Sequence, residues 1–363
     1  MPSRRAFLAG MMASGLCPTS GWADLGAPCY LSAARNPDGQ FALYGLSDVG
    51  ELLFQLPLPD RGHAAAAHPF RAEAVGFARR PGRFAIVLDC RTGERLATLN
   101  APAGRHFYGH GAFSADGKIL LTTENDYEAG EGRISLWDAA NGYTRLGSFP
   151  SGGVGPHDMR LMPNGETLVI ANGGIETHPD SGRTKLNIPV MQPNLTYLDL
   201  QGRVLEVVEL DRALHKNSIR HLSVRKDGLV AFAMQWQGSL SEHPPLLGLH
   251  RRGQKPVLAQ SKPDQHAQTM GYAGSVAFSE DGTRVAFTSP RGGVLHVFDA
   301  DTGAFLRDHT LEDVCGLAHG PGGFSATSGT GQIVHVTQDT VRTQATWEFQ
   351  WDNHLIPVQN GYV

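Results

Sequence analysis

Long hydrophobic runs are missing from this sequence. No stretch of about 18 apolar residues occurs, so nothing in it has the length of a membrane-spanning helix. An excess of one charge is missing too. Lys and Arg number 31 against 35 Asp and Glu, a formal net charge of -4 at pH 7, which withholds the basic field a nucleic-acid binder carries. Cysteine is scarce, 4 in 363 residues, and Cys29, Cys90 and Cys315 stand far apart. Neither a C-x-x-C motif nor a disulfide framework follows; one pair with a leftover thiol and three buried thiols both stay open. G-x-S-x-G, H-E-x-x-H and a Gly-rich phosphate loop between strand and helix are all absent. These absences remove the common signatures of serine hydrolases, zinc peptidases and nucleotide-binding enzymes, and no nucleotide cofactor is expected.

What is abundant is turn-forming residues: 44 Gly and 22 Pro, a composition that suits many short strands joined by tight turns. The turns repeat. An apolar, alternating strand runs into a glycine turn at Gly50, Gly93, Gly142, Gly202, Gly253 and Gly303, and a degenerate last copy lies around Asp339. A second turn precedes most of these, at Asp38-Gly39, Asp116-Gly117, Asn164-Gly165, Asp227-Gly228 and Asp281-Gly282. Asn/Asp-Gly pairs tolerate the positive φ of a tight hairpin. Each unit therefore reads as about four strands in a repeat of roughly 40 to 50 residues, the period of a propeller blade. Polar stretches at 173–193 and 236–246 lengthen the fourth and fifth units.

Seven units give an all-β, seven-bladed β-propeller. The first unit has room for only three strands, while the terminal ATWEFQWDNHLIPV has no unit of its own. The sequence predicts that this last stretch supplies the missing inner strand of the first blade and closes the ring, which removes an exposed sheet edge.

Residues 1–23 are set apart from this fold. Ser3-Arg4-Arg5-Ala6-Phe7-Leu8 matches the twin-arginine pattern, an apolar run extends to Leu16, and Gly21-Trp22-Ala23 offers small residues for cleavage before Asp24. The expectation is a twin-arginine signal peptide over 1–23 and a propeller domain over 24–363, exported to the periplasm and monomeric.

In a propeller the first strand of each blade lines the central channel, so residues at equivalent positions converge on one mouth. Those positions carry His63 in the second blade, His110 in the third, His157 in the fourth, His221 in the fifth and His354 in the closing strand. Neutral imidazole is the commonest protein ligand for transition metals. A ring of five could bind Fe, Cu, Zn or Ni, Fe or Cu above all, with Asp158 and Asp352 orienting the ligands from behind. Met159, Met270 and Cys315 are nearby soft donors on the same alignment and would admit copper. Against this stands a purely structural role. GHGAFSADG…SLWD looks like a WD-type repeat in which the Gly-His imidazole is a peg inside its own blade. His157, His221 and His354, however, lack the Gly-His dipeptide. His178 and His243 fall in polar loops, and Arg79-Arg80 and Arg251-Arg252 read as solvent-facing pairs beside turns. Tyr108 and Tyr272 flank inner strands, where they either wall a pocket or pack between blades.

The leader, AVGFARRPG at 74–82, GPHDMRLMPNGETLVIANGGI at 155–175 and the terminal WDNHLIPV together resemble the bacterial domain-of-unknown-function family numbered 1513. The resemblance spans essentially the whole chain after the leader. It implies a periplasmic seven-bladed propeller whose partners are imelysin-like iron-regulated proteins and di-haem, thiol-oxidoreductase-like proteins. It thus implies iron or metal handling at the cell envelope, and assigns no site residues. Three functions compete: a non-enzymatic metal-handling protein; a metal-dependent hydrolase of the lactonase kind or a redox enzyme using the same mouth; and an interaction scaffold without a metal. Lactonase-type propellers hold their metal with Glu, Asn and Asp, where this chain offers His.

Overall fold

Alternating apolar residues bounded by glycine turns build seven four-stranded antiparallel sheets around one axis. The structure, a computed structural model, describes residues 28–358 except Arg183; the expected leader at 1–23 lies outside the described residues. Blades 2 to 7 begin with inner strands Gly62–Ala67, Arg105–Phe113, Pro156–Leu161, Asn217–Val224, Ser275–Phe278 and Val314–Gly320. Each then steps outward strand by strand to a half-exposed outer strand such as Arg95–Asn100. The turn glycines carry the conformation their positions demand: φ is +71° at Gly142 and +85° at Gly202.

Blade 1 contributes Tyr30–Arg35, Phe41–Leu46 and Leu52–Leu58 from its own stretch of chain. Its inner strand comes from the far end of the sequence, in two pieces. Trp351 pairs with Ala34, and Ile356 pairs with Leu31. The ring closes as the sequence predicts.

Seven apolar clusters hold the ring, one in each gap between neighbouring blades. Phe77, Phe107 and Trp137 fill the gap between blades 2 and 3; Tyr30, Tyr44 and Trp351 fill the gap between blades 7 and 1. Burying each such side chain contributes about 1.5–3 kcal/mol, so closure rests on the last gap as much as on strand pairing. The insertions fall where the repeat broke: 173–193 joins the second and third strands of blade 4, and the chain after Trp236 lengthens the matching hairpin of blade 5. A one-and-a-half-turn helix, Pro263–Gln268, precedes blade 6 and left no mark in the repeat. Cys29, Cys90 and Cys315 are all free thiols. Among the described residues no helix is long and apolar enough to cross a membrane.

Candidate functional site

The inner strands are not regular where they carry histidine. Each of the four histidine-bearing inner strands of blades 2 to 5 breaks register there: between Gly62 and Ala65, Phe107 and Gly111, Pro156 and Asp158, and Ile219 and His221. An extra residue on one strand of an antiparallel pair bends the chain and re-aims a side chain. In blade 1 the closing strand is interrupted outright between its two paired segments, and His354 lies in the interruption, its carbonyl accepting a 2.8 Å bond from Ser32 Oγ. Small residues let five imidazoles crowd together. Gly109 has φ +101°, and a Cβ there would meet His63 Cδ2 at 2.5 Å, so only glycine fits against that ring.

His63, His110, His157, His221 and His354 form one buried cluster on the axis. Ring centroids are 4.5 Å apart for His63–His354, 4.6 Å for His110–His354, 4.7 Å for His157–His221 and 5.0 Å for His63–His110. Behind them stand the two carboxylates expected from the sequence. His63 Nδ1 is 3.3 Å from Asp352 Oδ1, and His110 Nδ1 is 3.0 Å from Asp158 Oδ1. Each carboxylate is itself pinned. Asp158 accepts the Leu222 and Met159 amides at 2.9 and 2.7 Å, and Asp352 accepts Arg61 Nε at 2.6 Å and the Asn353 amide at 2.7 Å. Burial alone would raise Asp158, yet the Arg160 guanidinium and His110 hold it well below the usual carboxylate range. Asp352 goes the same way: burial is outweighed by the bond to His63 and by Arg79. Both are anions that fix an imidazole tautomer, leaving Nε2 of His63 and His110 turned away from the carboxylate.

His110 is therefore not a blade peg. Trp137 Nε1 donates to Thr122 Oγ1 at 3.0 Å within blade 3, the WD-like half of the motif, but the imidazole reaches across to blade 4 instead.

Several nitrogens of the cluster satisfy nothing. His110 Nε2, His157 Nδ1 and both nitrogens of His221 are buried without a hydrogen-bond partner among the described residues. Leaving such a group unpaired costs about 1–3 kcal/mol, so several in one place mark a site built for something else to fill. Burial, followed by His110 and Arg79, lowers His63 to about 4 despite its bond to Asp352. Burial also drives His157, His221 and His354 well below the ordinary imidazole value, with Arg220 next in effect on His157. Those four rings are neutral at pH 7, the form that binds metal. Two overlapping triads, His63–His110–His157 and His110–His221–His354, could hold a metal ion, their ligand atoms lying within 4.8 Å of one another. Residue types, burial and orphaned nitrogens all fit such an ion.

The soft donors do not join. Strand alternation past the bulge sends Met159 into the apolar gap between blades 3 and 4, and Met270 is exposed. The Cys315 thiol donates to the Thr327 and Trp351 carbonyls at 3.4 Å, and burial pushes it up to about 12. Among the described residues the donor set is imidazole alone. Arg79 and Arg80 also differ from the sequence reading: both are half-buried. Arg79 Nη1 is 3.3 Å from Asp352 Oδ2, and both arginines wall a cleft above the histidines together with Tyr108 and Tyr272. The pair sits at a turn, and Asp352 of the closing strand reaches Arg79. His178 and His243 stay in the loops, as expected.

A family model matches residues 56–358. The chain belongs to the family described as Protein of unknown function (DUF1513). No curated protein matches this DUF1513 chain. Among solved structures it is similar to Kuenenia stuttgartiensis hydrazine synthase, with a TM-score of 0.59 and 14% identity over 87% of this chain and 95% of that one. It is likewise similar to the Myceliophteria thermophila Cps50 (Swd1) β-propeller domain, with a TM-score of 0.58 and 12% identity over 87% and 96% of the two chains. At such identities the likeness is one of fold.

Proposed function

We propose that this DUF1513 propeller binds one transition-metal ion at the five-histidine cluster and serves iron or other transition-metal handling in the periplasm. The observation that carries the reading is the convergence of five buried imidazoles from five blades, several with nitrogens that bond to nothing else. Ligands of one tetrahedral ion at 2.0–2.1 Å from the metal lie about 3.3 Å apart. His63 and His354 already meet that spacing, and the wider pairs close on an ion by rotation of their side chains. Imidazole-only donors suit Fe, Cu, Ni and Zn; Fe and Cu remain our assignment, with Cu as Cu(II) since no thiolate or thioether faces the site. Periplasmic placement rests on Ser3-Arg4-Arg5-Ala6-Phe7-Leu8, and partnership with imelysin-like and di-haem, thiol-oxidoreductase-like envelope proteins rests on the family resemblance.

The cleft above the cluster favours a second reading, metal-dependent or redox chemistry on a molecule bound there; a metal-free scaffold leaves the orphaned nitrogens without a purpose. The deciding experiment is elemental analysis of protein purified from a periplasmic extract. About one atom of a single transition metal per chain supports the proposal. Metal-free protein that also fails to take up Fe(II), Cu(II) or Zn(II) in equilibrium dialysis overturns it.

A further inference from the structure

Over the histidines the channel opens into a cleft of ≈ 60 Å³ bounded by His63, His157 and His221 below and by Arg79, Arg80 and Arg220 around its rim. That is several times the room one water needs, about 10–15 Å³, and far short of the roughly 300–1,000 Å³ of a pocket for a drug-sized molecule. None of the residues lining it is an acid. Arg79 shares Asp352 with Arg61, and Arg220 is buried, 6% exposed. Arg80 has no carboxylate within salt-bridge reach among the described residues, and burial holds its guanidinium below its usual range. Placing a divalent cation among neutral imidazoles beside the Arg80 guanidinium, and beside an Arg79 that shares its one carboxylate with Arg61, adds charge of the same sign in a site that water screens poorly. An ion there needs a counterion, and the cleft provides its seat.

We propose that this cleft binds one small planar oxyanion, a carboxylate or carbonate, forked by the guanidiniums and facing the histidine-held ion. Arginine suits this class because its planar fork matches two oxygens on one carbon. Other donors point the same way. The Tyr108 hydroxyl is buried beside Thr177 without a well-formed hydrogen bond. The Tyr272 hydroxyl accepts from Asn353 Nδ2 at 3.3 Å, which leaves its own proton for the cleft. Among the orphaned ring nitrogens, those of His221 border this cleft and also a second cavity on the opposite side of the cluster. The histidines thus form a septum with an anion chamber on one side only.

The guanidinium seat stands without the metal; its coupling to the cluster rests on the metal reading. The test is calorimetric titration of bicarbonate and of oxalate, with phosphate and chloride for comparison, into metal-free protein and into protein carrying one equivalent of Cu(II). The expected result is binding of one planar oxyanion per chain, weakened at least tenfold in Arg80→Ala and partly restored in Arg80→Lys, with melting temperatures unchanged. Coupling to the metal adds a tightening of at least tenfold in the Cu(II) form, and by linkage an equal tightening of Cu(II) by the anion. Oxalate and bicarbonate separate an organic carboxylate from carbonate as the occupant. No oxyanion binding in either form overturns the proposal, as does binding that Arg80→Ala leaves unchanged or that chloride and phosphate match. Oxyanion binding by a chain that takes up no metal sustains the seat and defeats the metal reading alone.

Discussion

The Nε2 atoms of His63 and His354 lie 3.3 Å apart, although 291 positions separate the two residues in the chain. One stands on the inner strand of the second blade, the other in the gap of the strand that closes the first. Their contact is made only by a complete ring, and it lies at the spacing two ligands of one ion adopt.

A double substitution of this pair, His63→Ala with His354→Ala, is expected to abolish stoichiometric metal while shifting the melting temperature by no more than a few degrees. The side chains face the axis and not the apolar gaps that hold the blades. Elemental analysis and a thermal scan of the same sample check it. Retained metal in a folded double variant would remove these two residues from the site.

Asp158→Asn removes the charge that orients His110 and one of the two oxygens that accept the Met159 and Leu222 amides. Losing such a partner behind a ligand typically weakens metal binding 10–100-fold. A competition titration with a chromophoric chelator reads the change; an unaltered affinity counts against His110 as a ligand.

Gly109→Ala tests the crowding itself. A methyl group 2.5 Å from His63 Cδ2, on a backbone at φ +101°, must displace the ring, so metal affinity should fall at least tenfold. Equal affinity in the variant means His63 moves freely and is no fixed ligand.

Deleting residues 351–358 strips the inner strand from blade 1 and the Trp351 side chain from the gap between blades 7 and 1. The truncated protein should be aggregated or melt more than 10 °C lower. A melting temperature within two degrees of the full chain would show that ring closure does not depend on this strand.

Acid should destabilise the metal-free protein. Burial, followed by Arg71 at His68, by Arg80 at His106 and by His266 at His296, lowers each of these imidazoles to about 4 from 6.5. Between those limits the unfolded chain binds protons that the folded chain refuses, so stability rises with pH across the window and is lost as pH falls from 6.5 toward 4. Urea midpoints at pH 7, 5.5 and 4.5 should decrease in that order; a constant midpoint speaks against the burial of these rings.

The ring and its closure could be read from turn chemistry alone, because Asp-Gly and Asn-Gly pairs and the glycines such as Gly142 and Gly303 impose one backbone shape wherever they occur. The convergence of His63, His110, His157, His221 and His354 followed from equal spacing to those turns. Asp158 and Asp352 could be placed because each lies within two residues of a histidine in sequence. What spacing cannot carry is the direction of a side chain across a register break, so Met159, two residues from His157, was expected on the axis and is packed in a gap instead. Contacts made by ring closure are equally hidden. Arg79 meets Asp352 only after five further blades have been laid down, and nothing local distinguishes it from Arg251, which lies on the surface hairpin of blade 5 and pairs with Asp227.

The interrupted closing strand also sets an order of events. Ribosomes deliver His63, His110, His157 and His221 well before His354, as parts of a strip of sheets with no axis. Of the two triads, His63–His110–His157 comes from the consecutive blades 2 to 4, whereas His110–His221–His354 is complete only once the closing strand is in place, so an ion held by the second triad would have to enter the finished ring.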